Sequence, residues 1–174
     1  MRRGGHRFPR HAASILMKKI LITMFFIALV PTWAKSRAPQ PEILGIRLGM
    51  EYAKAHILLT RLGHFKSEDE RQEVWALRHD KRYEYLIVGF DQDHTVRYVT
   101  ALARPHGEPV DYSSIGNLTD AEHAETTGNV RYIWRPKTHP DGLEYKVIAR
   151  GQDPHRLAMY AIKRIDAVSE GDAD

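Results

Sequence analysis

The chain has 174 residues, a formal net charge of +4 and a sequence pI of about 9.3. It contains no cysteine, which excludes disulfides, thiolate nucleophiles, cysteine-based zinc sites and a lipid-attachment cysteine. Residues 1–34 hold six Lys or Arg and no acidic residue, so 20 basic and 22 acidic residues remain in 35–174, a net charge of −2.

The N-terminal segment has the pattern of a secretory signal peptide. Lys18 and Lys19 precede the apolar run Ile20–Val30, and the small residue Ala34 follows shortly after. A basic region, an apolar region and a small residue, in this order, predict export and cleavage near Ala34. The run has eleven residues, whereas a spanning helix needs about twenty, so we expect no stable membrane anchor after cleavage.

We therefore expect a periplasmic or secreted bacterial protein with one domain, because about 140 residues form a domain of ordinary size. Residues 1–16 are either a long basic region of the signal or a misassigned start. The predicted organisation is a signal peptide at 1–34, a flexible lead-in at 35–42, an α+β domain at 43–167 and a frayed tail at 168–174.

One segment has helical periodicity. After a short extended piece over 43–50, apolar residues recur at helical spacing up to Gly63, a residue that commonly ends helices. These residues are Met50, Ala53, Ile57, Leu58 and Leu62. A charged connector is expected over Ser67–Arg71.

The following sequence predicts strands. β-branched and aromatic residues favour six of them, at Val74–Leu77, Tyr83–Phe90, Val96–Ala103, Asn129–Arg135, Leu143–Arg150 and Leu157–Ile165. Asp91–Thr95 reads as a hairpin connection and His139–Gly142 as a turn. Thr119 with Glu122 resembles a capping box and predicts a short helix to Ala124. The expected fold is thus α+β, with the helices on one face of an antiparallel sheet of about six strands.

The two halves of the domain resemble each other. A shift of 62 residues aligns Tyr83 with Tyr145, Asp91 with Asp153 and Tyr98 with Tyr160, whereas Trp75 and Trp134 fall three residues out of step. Two degenerate repeats, at 43–104 and 110–167, explain this pattern. Any two β-meanders would also show similarity of this degree, so both interpretations stay open.

No catalytic constellation emerges, and we expect neither an enzyme nor a cofactor. The histidines form no pair at metal-ligand spacing, and no serine lies in a nucleophile elbow. The fallback metal ligands are Asp91, Asp93 and His94, a turn that Asp153 and His155 echo. The plainer interpretation is that such an Asp hydrogen-bonds its own turn.

Aromatic residues are the better candidates for binding. The strand Tyr83–Phe90 carries apolar side chains on both faces, so either the second half covers the far face or aromatic side chains are exposed there. Exposed Tyr and Trp dominate protein contact sites. The predicted binding residues are Trp75, Tyr83, Tyr85 and Trp134.

A pattern of short motifs carries a resemblance to a known group. Gly45–Met50 precedes a helix that ends at Leu62 and Gly63, and Phe90–Val96 forms a hairpin with two aspartates. Over residues 43–103 this resembles SmpA/OmlA-type outer-membrane assembly lipoproteins and the β-lactamase-inhibitor-protein-like group. The resemblance implies an α+β unit that occurs twice in the inhibitor and binds other proteins. His94 replaces the turn glycine of the group.

The expected function is therefore an exported, non-catalytic protein-binding or adaptor domain of the bacterial envelope, with another envelope protein as its partner. A hydrolase that binds a metal or small ligand at the Asp/His turns is the alternative. Nucleic acid is not an expected partner, because the basic residues are scattered singly along 35–174 and a phosphate-binding protein needs a basic face.

Overall fold

The computed structural model describes residues 38–136 and 142–165. The predicted signal peptide, residues 35–37 of the lead-in, residues 139–141 of the predicted turn and the tail lie outside these residues. No helix in the described part of the chain is both long and apolar enough to span a bilayer.

The elements confirm an α+β fold, with one helix packed against an eight-stranded antiparallel sheet and a separate small hairpin. The expected count of six strands is wrong. The elements are β1 Glu42–Ile43, β2 Ile46–Arg47, α1 Tyr52–Leu62, β3 Gly63–Asp69, β4 Gln72–Leu77, β5 Tyr83–Phe90, β6 Val96–Ala103, β7 Glu122–Thr126, β8 Asn129–Trp134, β9 Tyr145–Gly151 and β10 Met159–Arg164. Two short 3₁₀ turns, Tyr112–Ser114 and Leu118–Asp120, lie between β6 and β7.

The large sheet consists of two four-stranded meanders joined edge to edge. Its strand order is β3-β4-β5-β6-β10-β9-β8-β7, and β6 pairs with β10 in antiparallel orientation. We call β3–β6 the first meander and β7–β10 the second meander. The second meander therefore extends the sheet sideways and does not cover its far face.

The register explains why the two tryptophans are out of step in the sequence. Trp75 pairs with Leu86, and Trp134 pairs with Val147, so the two indoles occupy corresponding positions in their meanders. The connection between the paired positions is two residues longer in the second meander, and β5 contains one extra residue, Glu84, at a bulge. Together these account for the offset of three. A common origin of the two halves stays a prediction.

One face of the sheet, which we call the covered face, holds the core. Ala55 and Leu59 of α1 and Ile46 of β2 are fully buried against it. The segment between β6 and β7 contributes Tyr112, which is 1% exposed. A helix thus covers the first meander, whereas irregular backbone covers much of the second.

The helix exists where it was predicted, and Met50, Leu58 and Leu62 of the predicted apolar face pack partly buried against the core, but the centre of the buried face is shifted. Ala55 and Leu59 are buried, whereas Ala53 is exposed and Ile57 is 54% exposed. This short helix contains so many apolar residues that two overlapping apolar faces can be drawn on it. Its contact with the sheet is centred on Ala55 and Leu59 and not on Ala53 and Ile57. Gly63 ends the helix in an extended conformation, where a Cβ would lie 2.2 Å from the carbonyl oxygen of Ala76.

Both strands missed by the sequence analysis are edge strands. In β3 every residue after Gly63 is exposed, and all residues of β7 are exposed. The predicted connector Ser67–Arg71 falls largely within β3, and the predicted short helix Thr119–Ala124 is wrong, because a 3₁₀ turn leads directly into β7. An edge strand without a buried face shows no alternation of apolar and polar residues.

Candidate functional site

The second face of the sheet, which we call the open face, has no helix or loop of the described residues packed over it. Its side chains come from alternate positions of the strands, because successive residues in a strand point to opposite faces. The side chains of Val74, Ile87 and Ile148 are partly exposed there, although they are apolar. A partly exposed apolar surface shared by many strands is typical of a contact site.

A row of side chains that are apolar except for Thr100, which we call the apolar row, crosses the middle of the open face. Its members are direct cross-strand neighbours, so they form a continuous line over six strands. In spatial order they are Val74, Ile87, Thr100, Ala161, Ile148 and Ile133. Thr100 and Ala161 pair at the junction, so that each meander contributes three residues to the row.

Basic side chains flank this row in the second meander. Lys146 lies directly opposite Lys163, and Arg131 lies directly opposite Arg150. None of these four forms an ion pair within the described part of the chain. Because like charges directly opposite each other destabilise a sheet, these two pairs cost the free protein stability.

The first meander presents a different surface on the open face. The ring of Tyr98 lies across Gly89, where a Cβ would be only 2.1 Å from the ring, and its hydroxyl hydrogen-bonds Gln72. Tyr85 and Leu102 are paired on the same face and are partly exposed. The open face is thus aromatic and apolar over the first meander and basic over the second.

Three of the four predicted binding residues do not lie on this surface. Trp75 and Trp134 are each 2% exposed, and Tyr83 is 4% exposed. The expectation that they line an exposed face is wrong, because they point into the core of the covered face. Burial raises the pKa of Tyr83 accordingly. Only Tyr85 lies on the open face.

The bulge at Glu84 explains the error for Tyr83. Simple alternation along a strand would put Tyr83, Tyr85 and Ile87 on one face. Tyr83 pairs with Ala103, but Tyr85 pairs with Leu102, so Glu84 is the extra residue that shifts the alternation. In β6 a second irregularity leaves Arg97 as an extra residue and places Tyr98 on the open face, whereas Tyr160 lies in the core, so these two tyrosines do not correspond.

The fallback metal ligands form an ordinary hairpin turn. Asp91 accepts hydrogen bonds from the backbone N–H groups of Asp93 and Thr95 and from the Thr95 hydroxyl, and Arg164 lies 2.9 Å from its carboxylate. Burial alone would raise the pKa of Asp91, but these hydrogen bonds and the Arg164 charge lower it. His94 adopts a left-handed conformation with φ of 55°. Among the described residues no group of three His, Asp or Glu side chains could hold a metal ion.

The basic residues of the open face were not recognised from the sequence because they are distributed over three strands, β8, β9 and β10. Arg131, Lys146, Arg150 and Lys163 are separated by 4 to 15 positions in the sequence. The strand register alone brings them together. The statement that this chain has no basic face is therefore wrong for the second meander. The alternation within the predicted strands could have indicated this face, since all four basic residues alternate there with apolar residues.

Comparisons with protein families, with curated proteins and with solved structures found no match to this chain.

Proposed function

We propose that this chain is a non-catalytic binding protein of the bacterial envelope that docks an acidic partner protein on its open face. One observation carries the proposal: an apolar row over six strands is flanked by two directly opposed pairs of like charges, Lys146 with Lys163 and Arg131 with Arg150. The partner's carboxylates would relieve the repulsion within each pair, and its apolar side chains would cover the row.

The composition of this surface favours a protein over a nucleic acid. A phosphate backbone is recognised mainly by charge, whereas here the centre of the surface is apolar and only one meander is basic. Residues 35–174 carry a net charge of −2, so the rest of the molecule would repel a polyanion. A protein surface with apolar residues between carboxylates matches both features.

The envelope assignment rests on the signal-peptide pattern of residues 1–34. The resemblance to the outer-membrane assembly lipoproteins and the inhibitor-like group supports a binding role, since that resemblance implies proteins that bind other proteins. The absence of any residue constellation typical of catalysis in the sequence agrees with this role.

Site-specific photocrosslinking in the native cells tests the proposal. A benzophenone side chain is placed at Tyr85 or Ile148 on the open face and at Ile57 on α1, which is 54% exposed and lies on the other side of the sheet. We expect one discrete protein adduct at both open-face positions and none at Ile57. The double charge reversal Arg131→Glu and Lys146→Glu should abolish the adduct.

The double charge reversal needs its own control for folding. Each substitution removes a like-charge repulsion, so the variant should remain folded by circular dichroism and should unfold at an equal or higher urea concentration. An adduct that survives charge reversal, that forms equally at Ile57 or that is sensitive to nuclease would overturn the proposal.

A further inference from the structure

A cleft on the other side of the sheet lies between α1 and the strands β3 and β4. Its volume is about 510 Å³, within the range of sites that bind small molecules or single side chains. Tyr52 and His56 of α1, Phe65 of β3, and Glu73 and Trp75 of β4 contribute to its walls. No member of the apolar row or of the opposed basic pairs lines this cleft, so the two sites are independent.

Glu73 gives the cleft a buried negative charge. Glu73 is 2% exposed, and among the described residues it is the one buried charged residue. The Tyr52 hydroxyl and the Trp75 indole N–H each donate a hydrogen bond of 2.8 Å to its carboxylate. Both donors are neutral, so the hydrogen bonds leave the charge uncompensated, and a buried charge without a counter-charge is costly.

His56 is the nearest group that could compensate this charge. Its Nδ1 atom lies 3.6 Å from Glu73 Oε1, and the ring carries a charge only when it is protonated. The same Nδ1 atom is buried and has no hydrogen-bond partner within the described residues. A buried polar atom without a partner often indicates a water, ion or ligand that belongs at the site.

Aromatic rings line the space in front of Glu73. Phe65 is 47% exposed and meets Trp75 edge to face at a centroid distance of 5.6 Å. Tyr52 is 37% exposed and stacks on His56 at 5.4 Å. Aromatic faces attract cations through their quadrupole, so these walls and the carboxylate favour the same kind of ligand.

The charges near Tyr52 also favour a cationic ligand. The hydrogen bond to Glu73, burial, and the charges of Glu73 and Glu68 together raise the pKa of Tyr52 to about 12. Arg78 and His64 also line the cleft, so the lining is not uniformly negative.

We propose that this cleft binds a primary ammonium group, carried by a small amine or by a lysine side chain of another protein. The ammonium charge would compensate Glu73, its N–H groups would supply a donor for His56 Nδ1, and its alkyl chain would lie against Phe65 and Trp75. The terminal torsion of a histidine side chain is soft, so a turn of the His56 ring gives the ligand access to Nδ1.

The indole N–H resonances of Trp75 and Trp134 provide a matched pair of reporters. Trp75 donates to Glu73 within the cleft, whereas Trp134 occupies the corresponding position of the second meander and donates to the backbone carbonyl of Asn117. On titration with n-butylammonium the Trp75 resonance should shift saturably and the Trp134 resonance should not. Neutral n-butanol should shift neither, and tetramethylammonium, which has no N–H group, should bind more weakly.

A second arm identifies the source of the ammonium group. Nα-acetyl-lysine amide presents a lysine side chain attached to a backbone. If it shifts the Trp75 resonance as n-butylammonium does, the site accepts a protein lysine; if only n-butylammonium binds, the ligand is a free amine. Both results support the proposed chemistry.

Two variants test the walls. Glu73→Gln keeps the shape of the side chain and should weaken n-butylammonium binding by about tenfold or more, because it removes the charge. Phe65→Ala removes a ring that is 47% exposed and lies on an edge strand, and should weaken binding by about two- to fivefold. Phe65→Ala keeps the test valid if Glu73→Gln does not fold.

The proposal is overturned if n-butylammonium gives no saturable shift, if n-butanol or tetramethylammonium binds equally well, or if both indole resonances move together. It is also overturned if the folded variants bind as the natural protein does. None of these results bears on the crosslinking at the open face, so either proposal can fail alone.

Discussion

The two meanders bury corresponding tryptophans, but the indole N–H groups of these tryptophans donate to different kinds of acceptor. In the first meander the indole N–H of Trp75 reaches a buried carboxylate under a regular helix, and in the second the indole N–H of Trp134 reaches a backbone carbonyl in an irregular segment. The open face differs in the same way, because it is aromatic over one meander and basic over the other. Similar strand geometry thus supports two surfaces with different chemistry.

The largest expected effects test whether both tryptophans are core residues. Trp75→Ala and Trp134→Ala should each lower the free energy of unfolding by about 3–5 kcal/mol, the usual cost of truncating a large buried aromatic residue. Urea unfolding followed by circular dichroism measures both. A loss below 1 kcal/mol for either variant would mean that the side chain is not buried as described.

Replacing each tryptophan by phenylalanine sharpens this comparison. Both changes remove a similar volume and one N–H donor, but only Trp75→Phe removes a donor from a buried charge. A hydrogen bond to a charged group contributes about 1.5–3 kcal/mol, and a neutral one about 0.5–1.5 kcal/mol. Trp75→Phe should therefore cost more than Trp134→Phe in the same unfolding experiment. Equal costs would show that the Glu73 contact adds nothing.

Tyr52 should make the stability of the first meander sensitive to alkaline pH. Its pKa is raised to about 12 from an ordinary value of 10.0, so the folded state holds this proton more tightly than the unfolded state. The resulting stability is complete below about pH 10 and is lost as the pH rises towards 12. Tyr52→Phe should cost about 1–2 kcal/mol at pH 7 and less above pH 10.

The matching control for Tyr52 is Tyr112, which covers the second meander and hydrogen-bonds the backbone carbonyl of Asp153 at 3.2 Å. Burial is the main cause that raises the pKa of Tyr112, with a smaller contribution from the Asp153 charge, but its hydroxyl donates to a carbonyl and not to a carboxylate. If Tyr112→Phe and Tyr52→Phe change the alkaline profile identically, the carboxylate of Glu73 is not the cause of the Tyr52 effect.

The two hairpin turns provide a smaller contrast. Asp91 accepts three hydrogen bonds from its own turn and contacts Arg164, whereas Asp153 accepts one from the backbone N–H of His155. Asp91→Asn should cost about 1 kcal/mol at pH 7, and Asp153→Asn should cost less.

The pH dependence of Asp91→Asn supplies a second readout. Because the folded pKa of Asp91 lies below its ordinary value of 3.8, its contribution is present above about pH 4 and is lost as the pH falls through the folded value. The free energies of the natural protein and of Asp91→Asn should therefore converge in acid. A constant difference down to pH 2 would contradict this account of the turn.

The smallest expected effect concerns the basic part of the open face. Lys146→Gln removes one member of a directly opposed like-charge pair, so it should raise the free energy of unfolding by about 0.2–1 kcal/mol at low salt. The gain should shrink at high salt, where the repulsion is screened. A loss of stability would show that Lys146 has a favourable contact in the free protein.

Elements with one buried face could be predicted from the sequence, because their apolar residues recur at a regular spacing. The helix and the six inner strands were predictable for that reason, whereas β3 and β7 were missed because edge strands lack alternation. The faces of Tyr83 and Tyr98 could not be predicted, since one extra residue in each strand, Glu84 in β5 and Arg97 in β6, reverses the alternation between the two ends of that strand.

The candidate site was less predictable than the fold. Trp75 and Trp134 were chosen because aromatic residues are common in contact sites, yet the same chemistry favours burial. Arg131 and Arg150 are neighbours only through the register of two strands, which no local pattern specifies. Tyr85 lies on the open face, but simple alternation groups it with buried Tyr83, so the sequence did not separate these two residues.

The central claim is that one face of this sheet is open to solvent in the free protein. Isoleucine methyl groups can report it directly, through their relaxation by a soluble paramagnetic agent. Ile87, Ile133 and Ile148 should relax strongly, approaching exposed Ile57, whereas Ile46 and Ile162 in the covered core should be protected. Protection of Ile87 and Ile148 to the level of Ile162 would contradict the account.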